Sequence, residues 1–405
     1  MLVNEKTWAL IISISCGLYW LAHSTIRPII SLYANNNGAT DWEIGIILGI
    51  YAFFPFFLAI PIGGLVSTFD KNKLLQIGAW LMVVSAGLYI ISNSFWMLLI
   101  AQTVAGIGQL FVWLIFQVMI TEGKSKSNHT RIATFSLYMA LGQLLGPLLG
   151  GVLSDTFGYS AAFMLYGVIC ILLTVVSYLL KSDIKVTEYK KPDFLEMYKE
   201  SARLLKNLGF VAALLFSFIV LFIIDARMSF LPIYMETLSF SNTVIGLLLS
   251  VASFSALLIK FIYPYLIKRL GYMKLLIGSF SFSILLLYLA PLPHNYFTMG
   301  ILIFITGIAL AINQPLSLSL ISEQTREDQR GIAFGMRLMG NRGAQLVDPL
   351  VFGAISSIFY LEFAFWIVAV FLTLLSVLAI AMFAAANSRK EAKAAYVPSK
   401  KEQEV

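Results

Sequence analysis

The sequence predicts an all-α polytopic membrane protein, in which twelve transmembrane helices form two six-helix bundles related by pseudo-symmetry. Three observations support this fold class: an apolar composition, apolar runs that recur along the chain, and an internal repeat. Apolar residues make up 59% of the 405 residues and charged residues 12%, whereas soluble domains average about 45–50% and about 25%. We therefore do not expect a large soluble protein.

The apolar runs set the number of spans. Each run is about 20 residues long, which is the length that an α-helix needs to cross a bilayer. The polar turns between the runs place the spans approximately at 8–33, 41–68, 73–92, 95–121, 131–154, 159–181, 207–236, 241–267, 273–292, 296–322, 331–358 and 361–386. The longest polar interruption, 182–206, separates an N-terminal bundle at 1–181 from a C-terminal bundle at 207–386, and a basic tail follows at 387–405.

Lysine and arginine concentrate in the even-numbered loops, the linker and the tail. The odd-numbered loops, such as NNNGATDWE at 35–43 and PLPHNY at 291–296, contain neither residue. The positive-inside rule then puts both termini and the linker in the cytoplasm of a multi-pass protein of the cell membrane. The basic segments then lie at the cytoplasmic surface of the lipid bilayer, which explains the net charge of +7. We therefore expect no nucleic acid as a partner. The spacing of Lys199, Arg203 and Lys206 favours an amphipathic helix within the linker, with simple disorder as the alternative.

The two halves resemble each other at a shift of 201 residues. Five pairs of matching residues carry this repeat: Tyr33 and Tyr234, Gly45 and Gly246, Gly106 and Gly307, Pro147 and Pro349, and Gly151 and Gly353, the last two pairs after one inserted residue. Two parallel six-helix repeats imply a pseudo-two-fold axis along the membrane normal. They also imply a ligand site between the halves, near the bilayer midplane.

Four stretches resemble motifs of the major facilitator superfamily, and the resemblance extends over essentially the whole chain. GQLLGPLLGG at 142–151 is similar to the glycine-proline motif of the drug/proton antiporter group, and IAQTVAGIGQ at 100–109 to its fourth-span pattern. GGLVSTFDKNKLLQIG at 63–78 and YPYLIKRLGYMKLLIG at 263–278 resemble the signature loop of each half. The resemblance implies the major facilitator fold and transport by alternating access.

The chain departs from these motifs at several positions. Ser67 or Thr68 stands where the signature loop has an aspartate, and Asp70 where it has a glycine. Lys268 takes the acidic place in the second half, and Gln102 replaces the usual arginine of the fourth span. A standard drug/proton mechanism therefore does not follow from the motifs, whereas the fold depends on the spans, the repeat and the charges.

Seven charged residues lie well inside predicted spans, away from the span ends. They are Arg27, Arg227, Lys260, Arg337, Arg342, Asp225 and Asp348. Each such ion costs about 2.5–3.5 kcal/mol on insertion scales, so we expect it to face a cavity or a partner. Asp225 and Arg227 lie about 200° apart on a helix, which predicts different surroundings for the two.

These charges and their polar neighbours are the candidate site residues. We expect the substrate to be bound by Trp20, His23, Arg27, Gln109, Arg227, Asn313, Arg337 and Asn341, and protons to be carried by Asp225 and Asp348. Trp20, His23 and Arg27 share one helix face, and Arg337, Asn341, Gln345 and Asp348 form one polar stripe. Arg342 lies about 140° from Arg337 and is assigned to an interhelical contact. The alternative for all of these residues is a structural network between helices.

The predicted function is secondary transport, and we expect the protein to act as a monomer. The sequence has no motif for catalysis, nucleotide binding or metal binding, so we expect neither an enzyme nor a cofactor. The first hypothesis is proton-coupled export of a small organic compound, with a bias to anionic or amphiphilic ones. The second is uptake or exchange of an organic anion, such as a phosphorylated or carboxylated metabolite, because guanidinium groups suit phosphate and carboxylate. Flipping of a lipid-linked substrate is a third hypothesis.

Overall fold

The computed structural model describes residues 5–65, 70–121, 128–180, 194–326 and 329–395, and within these ranges the chain forms thirteen helices. The N-terminal bundle comprises α1 (Glu5–Asn36), α2 (Asp41–Leu65), α3 (Lys71–Ile91), α4 (Phe95–Thr121), α5 (Asn128–Phe157) and α6 (Tyr159–Leu179). One short helix, α7 (Phe194–Leu204), belongs to the linker. The C-terminal bundle comprises α8 (Leu208–Thr237), α9 (Asn242–Leu270), α10 (Tyr272–Tyr288), α11 (Tyr296–Glu323), α12 (Arg330–Ser356) and α13 (Leu361–Ala395).

Ten of the described helices are long and apolar enough to cross a membrane. Two more complete the predicted twelve. Helix α10 is apolar but has 17 residues, and α12 interrupts its apolar residues with Arg337, Arg342 and Asp348. The twelve predicted spans therefore correspond to α1–α6 and α8–α13.

The linker and the last helix show how the predicted boundaries compare with the structure. The amphipathic helix predicted in the linker is present as α7, and its Tyr198 hydroxyl donates a hydrogen bond to the carbonyl of Phe57 on α2 (3.1 Å). Helix α13 continues to Ala395, nine residues beyond the predicted end of the bundle at 386. Residues 181–193 and 396–405 lie outside the described part of the chain.

The sequence repeat corresponds to matching contacts inside the two bundles. Gly106 packs against the carbonyl of Tyr51 so closely that a β-carbon on Gly106 would lie 2.0 Å from the carbonyl oxygen. A β-carbon on Gly307 would likewise lie 2.3 Å from the carbonyl oxygen of Ala252. These glycines let α4 approach α2, and α11 approach α9, at the same relative position in each half. The repeat is therefore a repeat of helix packing, because only a residue without a side chain fits at either place.

The two matching tyrosines also occupy equivalent positions. The Tyr33 hydroxyl donates to the carbonyl of Ser92, just after α3, and the Tyr234 hydroxyl donates to the carbonyl of Pro291, after α10. Each bond ties the end of the first helix of a bundle to the end of the third. Buried carbonyl groups at helix ends need such partners.

The two bundles meet mainly along two helix pairs, α2 with α12 and α5 with α9, and α1 also contacts α8. A β-carbon on Gly45 would lie 2.5 Å from the carbonyl oxygen of Pro349, and one on Gly246 would lie 2.2 Å from that of Pro147. These two contacts are equivalent under the repeat. Both lie toward the end of the molecule at which α1 ends and α2 begins, here called the odd-loop end.

A second pair of equivalent contacts lies nearer the tip of the odd-loop end. A β-carbon on Gly353 would be 2.5 Å from the carbonyl oxygen of Asp41, and one on Gly151 would be 2.1 Å from that of Asn242. Asp41 and Asn242 begin α2 and α9. The start of each of these helices therefore rests directly on the backbone of the opposite bundle.

Polar contacts between the bundles reinforce this end. The Asp155 carboxylate accepts hydrogen bonds from the backbone N–H groups of Asn242 (3.1 Å) and Thr243 (2.7 Å), at the start of α9. A carboxylate is favourable there because the first N–H groups of a helix lack intrahelical partners and carry partial positive charge. Asn35 on α1 donates to Glu236 on α8 (2.7 Å). The structure is thus closed at the odd-loop end.

Candidate functional site

An ion pair joins the two bundles in the middle of the molecule. The Nη2 atom of Arg27, on α1, donates to both carboxylate oxygens of Asp225, on α8, at 2.8 and 2.6 Å. The two side chains are 4% and 5% exposed. The Nη1 atom of Arg27 also reaches the carbonyl of Leu48 at 3.4 Å. A buried pair of this kind costs desolvation energy, so it persists only with good geometry and additional hydrogen bonds.

A second carboxyl group adjoins this pair. Asp348 on α12 is fully buried and is tied to α8 one turn after Asp225, at Ser229. Its Oδ2 accepts a hydrogen bond from the Ser229 hydroxyl at 3.0 Å, whereas its Oδ1 has no hydrogen-bond partner among the described residues. Asp225 therefore takes the ion pair with Arg27, whereas the hydrogen-bond partner of Asp348 is the Ser229 hydroxyl.

Aromatic side chains of the N-terminal bundle lie beside the ion pair. The Arg27 guanidinium sits 5.3 Å from the centre of the Tyr51 ring, and the Tyr51 hydroxyl is 3.0 Å from Nδ1 of His23. The Trp20 ring meets His23 and Trp113 edge-on, with centroids 5.3 and 5.2 Å apart. The buried Trp20 Nε1 has no hydrogen-bond partner among the described residues. We call Trp20, His23, Tyr51 and Trp113 the aromatic cluster.

Helix α4 adds a polar group near the aromatic cluster. Gln109 lies one turn before Trp113 and is 4% exposed. Its Oε1 has no hydrogen-bond partner within the described ranges. Gln109 is thus a buried acceptor next to an aromatic wall, as expected for a residue that contacts a ligand or an internal water.

The polar stripe on α12 divides into two parts. Asn341 accepts a hydrogen bond from the Ser217 hydroxyl on α8 at 3.0 Å, and Arg337 is partly exposed. Arg342 is 4% exposed and donates to Gln345 at 2.7 Å. Arg342 is therefore the buried cation of α12. From the sequence we expected Arg342 to make an interhelical contact and Arg337 to bind the substrate.

Two predicted site residues lie inside the C-terminal bundle, away from the interface. Asn313 on α11 is fully buried, accepts from Ser279 and donates to Ser283 (2.9 Å), both on α10. Arg227 points into a small cavity between α8, α10, α11 and α13. The predicted separation of Arg227 from Asp225 is confirmed, because Asp225 faces Arg27 on the other side of α8.

The site thus brings together Arg27, Asp225, Asp348, Arg342 and the aromatic cluster. Within the described ranges, no group of three or more histidine, cysteine or acidic residues could hold a metal ion. The arrangement can bind a ring-bearing or charged molecule and can hold a proton. It spans both bundles, so any movement of one bundle against the other must rearrange it.

Such a buried charged site between two repeated six-helix bundles defines a membrane transporter. The family model of the Major Facilitator Superfamily matches residues 12–228 and 213–403. The chain belongs to this family, and the predicted resemblance and fold are confirmed.

Several relatives and solved structures are similar to this chain. The multidrug resistance protein MdtG of Proteus mirabilis is 27% identical over 322 residues, which are 77% of this chain and 79% of that one. The MdtG protein of Escherichia coli is 26% identical over 372 residues, with 88% and 89% covered. An MFS-type transporter of Methanocaldococcus jannaschii is 24% identical over 336 residues, with 82% and 87% covered.

The solved structures extend the likeness to the whole fold. The nucleoside transporter NupG superposes with a TM-score of 0.75 at 15% identity, over 94% of this chain and 99% of that one. A bacterial homolog to the human lysosomal transporter Spinster, in an inward-facing and unoccupied conformation, gives 0.73 at 16% identity, over 98% and 100%. The chain is thus a multi-pass membrane transporter of small molecules.

Proposed function

We propose that this protein exports a small organic compound across the cell membrane in exchange for protons, by alternating access. The observation that carries the proposal is the buried cluster of Arg27, Asp225 and Asp348 between the two bundles. The relatives named multidrug resistance protein MdtG support export as the direction. With the orientation that the loop charges predict, the closed odd-loop end faces the outside.

The carboxyl pair supplies the coupling. In the protonated cluster one carboxyl group carries the proton and the other pairs with Arg27. Loss of the proton adds a second carboxylate beside the first, and the repulsion between the two carboxylates destabilises this arrangement. The strength of the Arg27–Asp225 bond therefore depends on that proton. Because the bond joins α1 to α8, a change in its strength biases the rocking of one bundle against the other.

The aromatic cluster supplies the substrate preference. Trp20 and Trp113 present ring faces and edges, and Trp20 Nε1 and Gln109 Oε1 are a donor and an acceptor without partners among the described residues. Arg342 adds a positive charge nearby. A flat, ring-bearing compound that is amphiphilic or anionic matches these groups, because rings stack on aromatic side chains and a guanidinium binds acidic groups.

The test is transport by the purified protein in proteoliposomes with an imposed pH gradient, using dyes and drug-like cations and anions as probes. Wild type should accumulate a probe against its gradient only while the pH gradient lasts. Asp348→Asn should abolish this accumulation and retain exchange of probe for probe, because the substrate groups remain but the proton carrier is lost. Glu362→Gln, at the start of α13, is the control and should behave as wild type. Full accumulation by Asp348→Asn would contradict the proposal.

Uptake or exchange of an organic anion is the second candidate, and the excess of cations at the interface favours it. Arg27 is already neutralised by Asp225, so an anion would depend on Arg342 and Arg337. Counterflow of phosphorylated and carboxylated probes distinguishes the candidates. Under this second function, Arg342→Gln should raise the KM for anions at least about tenfold, as expected for a lost charged hydrogen bond. Transport restricted to cations would exclude it.

A further inference from the structure

Arg227 lies on the side of α8 that faces away from the bundle interface. It lies two positions after Asp225 in the sequence, which corresponds to about 200° around a helix. Asp225 therefore meets α1, whereas Arg227 points into the C-terminal bundle toward α10, α11 and α13. The export mechanism proposed above makes no use of this arginine.

A cavity of about 20 Å³ lies next to the Arg227 side chain. Its other walls are leucine, isoleucine, alanine and phenylalanine side chains, apart from Thr306 on α11. The Thr306 hydroxyl donates to the carbonyl of Leu302, on its own helix (2.8 Å). The guanidinium is therefore the one group in this lining that carries a charge.

No partner for this charge occurs among the residues that the structure describes. Arg227 makes no hydrogen bond or ion pair there, and its buried Nε is unpartnered. Arg27, at the related position in the other bundle, has Asp225 at 2.6 Å. A guanidinium at membrane depth is unfavourable without a counter-charge, so the cavity lacks an anion that the described part of the chain does not provide.

We propose that this cavity binds one small monovalent anion of the halide class, held by Arg227 inside the C-terminal bundle. A volume of about 20 Å³ accepts one particle of about the size of water, since about 10–15 Å³ is the least that holds one. A single small ion fits this space better than a phosphate group or a carboxylate-bearing substrate does. Apolar walls also favour weakly hydrated anions such as chloride and bromide, because a strongly hydrated anion loses more on leaving water.

The proposal gives Arg227 a role separate from substrate transport. The anion neutralises the arginine and joins α8 to the helices around it, so it stabilises the folded C-terminal bundle. Because the cavity faces away from Arg27 and Asp225, emptying it should weaken the fold and leave the substrate site intact.

Thermal unfolding of the purified full-length protein in detergent tests this. Sodium chloride, sodium bromide and sodium gluconate are compared at equal ionic strength. For wild type we expect chloride or bromide to raise the Tm by about 2–4 °C over gluconate, the shift that one tightly bound ion gives a domain of this size. Arg227→Met keeps the length of the side chain but removes the charge, and its Tm should not respond to the halide.

Lys260→Met is the matched control, because Lys260 is also a cation within a span of the C-terminal bundle but is exposed. This variant should keep the full halide response. Anomalous scattering from crystals of wild type grown in bromide gives a second readout, with a peak next to the Arg227 guanidinium. Equal Tm values for wild type in halide and gluconate, or a halide response that survives in Arg227→Met, would overturn the proposal. Stabilisation by inorganic phosphate as large as that by chloride would overturn the size argument and the halide assignment with it.

Discussion

Replacing Gly246 with alanine tests whether the contact between α5 and α9 holds the odd-loop end closed. The new β-carbon would lie 2.2 Å from the carbonyl oxygen of Pro147. Contacts below 3.0 Å are essentially never seen for real β-carbons, so α5 and α9 must separate by about 1 Å, at a cost of about 1–3 kcal/mol. The cost applies only while this end is closed. The ratio of open to closed molecules should therefore rise by about 5–150-fold.

Distances between spin labels at the odd-loop end measure this ratio. Ser94 and His294 are exposed, lie in loops of different bundles and can be changed to cysteine for labelling. The native Cys16 and Cys170 are buried, so labels should attach at the introduced sites. In pulsed electron spin resonance, Gly246→Ala should increase the population with a long distance.

Gly278→Ala is the control, because a β-carbon at Gly278 meets nothing within 4 Å. It should leave the distance distribution as in wild type. The reasoning fails if Gly246→Ala gives the same distribution as Gly278→Ala. It also fails if both variants shift the distances equally, since the effect would then not come from the contact with Pro147.

Three further substitutions separate roles within the molecule. Asp225→Asn leaves Arg27 without its counter-ion and should destabilise the protein by about 3–5 kcal/mol in thermal unfolding, with a smaller loss when Arg27→Met is added, so that the two changes are not additive. Asp155→Ala removes the acceptor of two backbone N–H groups and should favour opening of the odd-loop end by about 1–2 kcal/mol, seen with the same spin labels. Asn313→Ala should cost about 1–3 kcal/mol of stability through the lost hydrogen bonds to Ser279 and Ser283, with the transport KM unchanged; a raised KM at normal stability would place Asn313 in the substrate site instead.

The architecture was largely predictable, because it depends on local and repeated properties of the chain. Hydropathy and turn residues fix the spans, and the paired glycines at a shift of 201 residues mark packing positions that the structure contains twice. The membrane span of α13 ends at Ser388, close to the predicted 386, but the helix itself is longer. The apolar run stops near 386, but the following alanine, lysine, glutamate and arginine residues favour helix, so the helix continues to Ala395.

The candidate site was predictable as a set of residues but not as a set of partners. Arg27 and Asp225 are 198 positions apart, and no local pattern reveals which helix faces which in the folded bundle. The polar stripe on α12 pointed to Arg337, whereas the buried cation is Arg342. Periodicity gives the face of a helix on which a residue lies, but the neighbour that the face meets is decided by packing between bundles. The separation of Arg227 from Asp225 was predictable because helical geometry alone determines it.

The matched contacts at the odd-loop end carry information about how the chain originated. Gly45 meets Pro349 as Gly246 meets Pro147, and each contact joins one half to the other. In a symmetric homodimer of a single six-helix protein, one glycine and one proline would create both contacts at once, because a two-fold interface uses each surface twice. Duplication and fusion of such a gene would preserve the pair in the form seen here. The two halves now differ beside this contact, because Gly146 precedes Pro147 whereas Asp348 precedes Pro349.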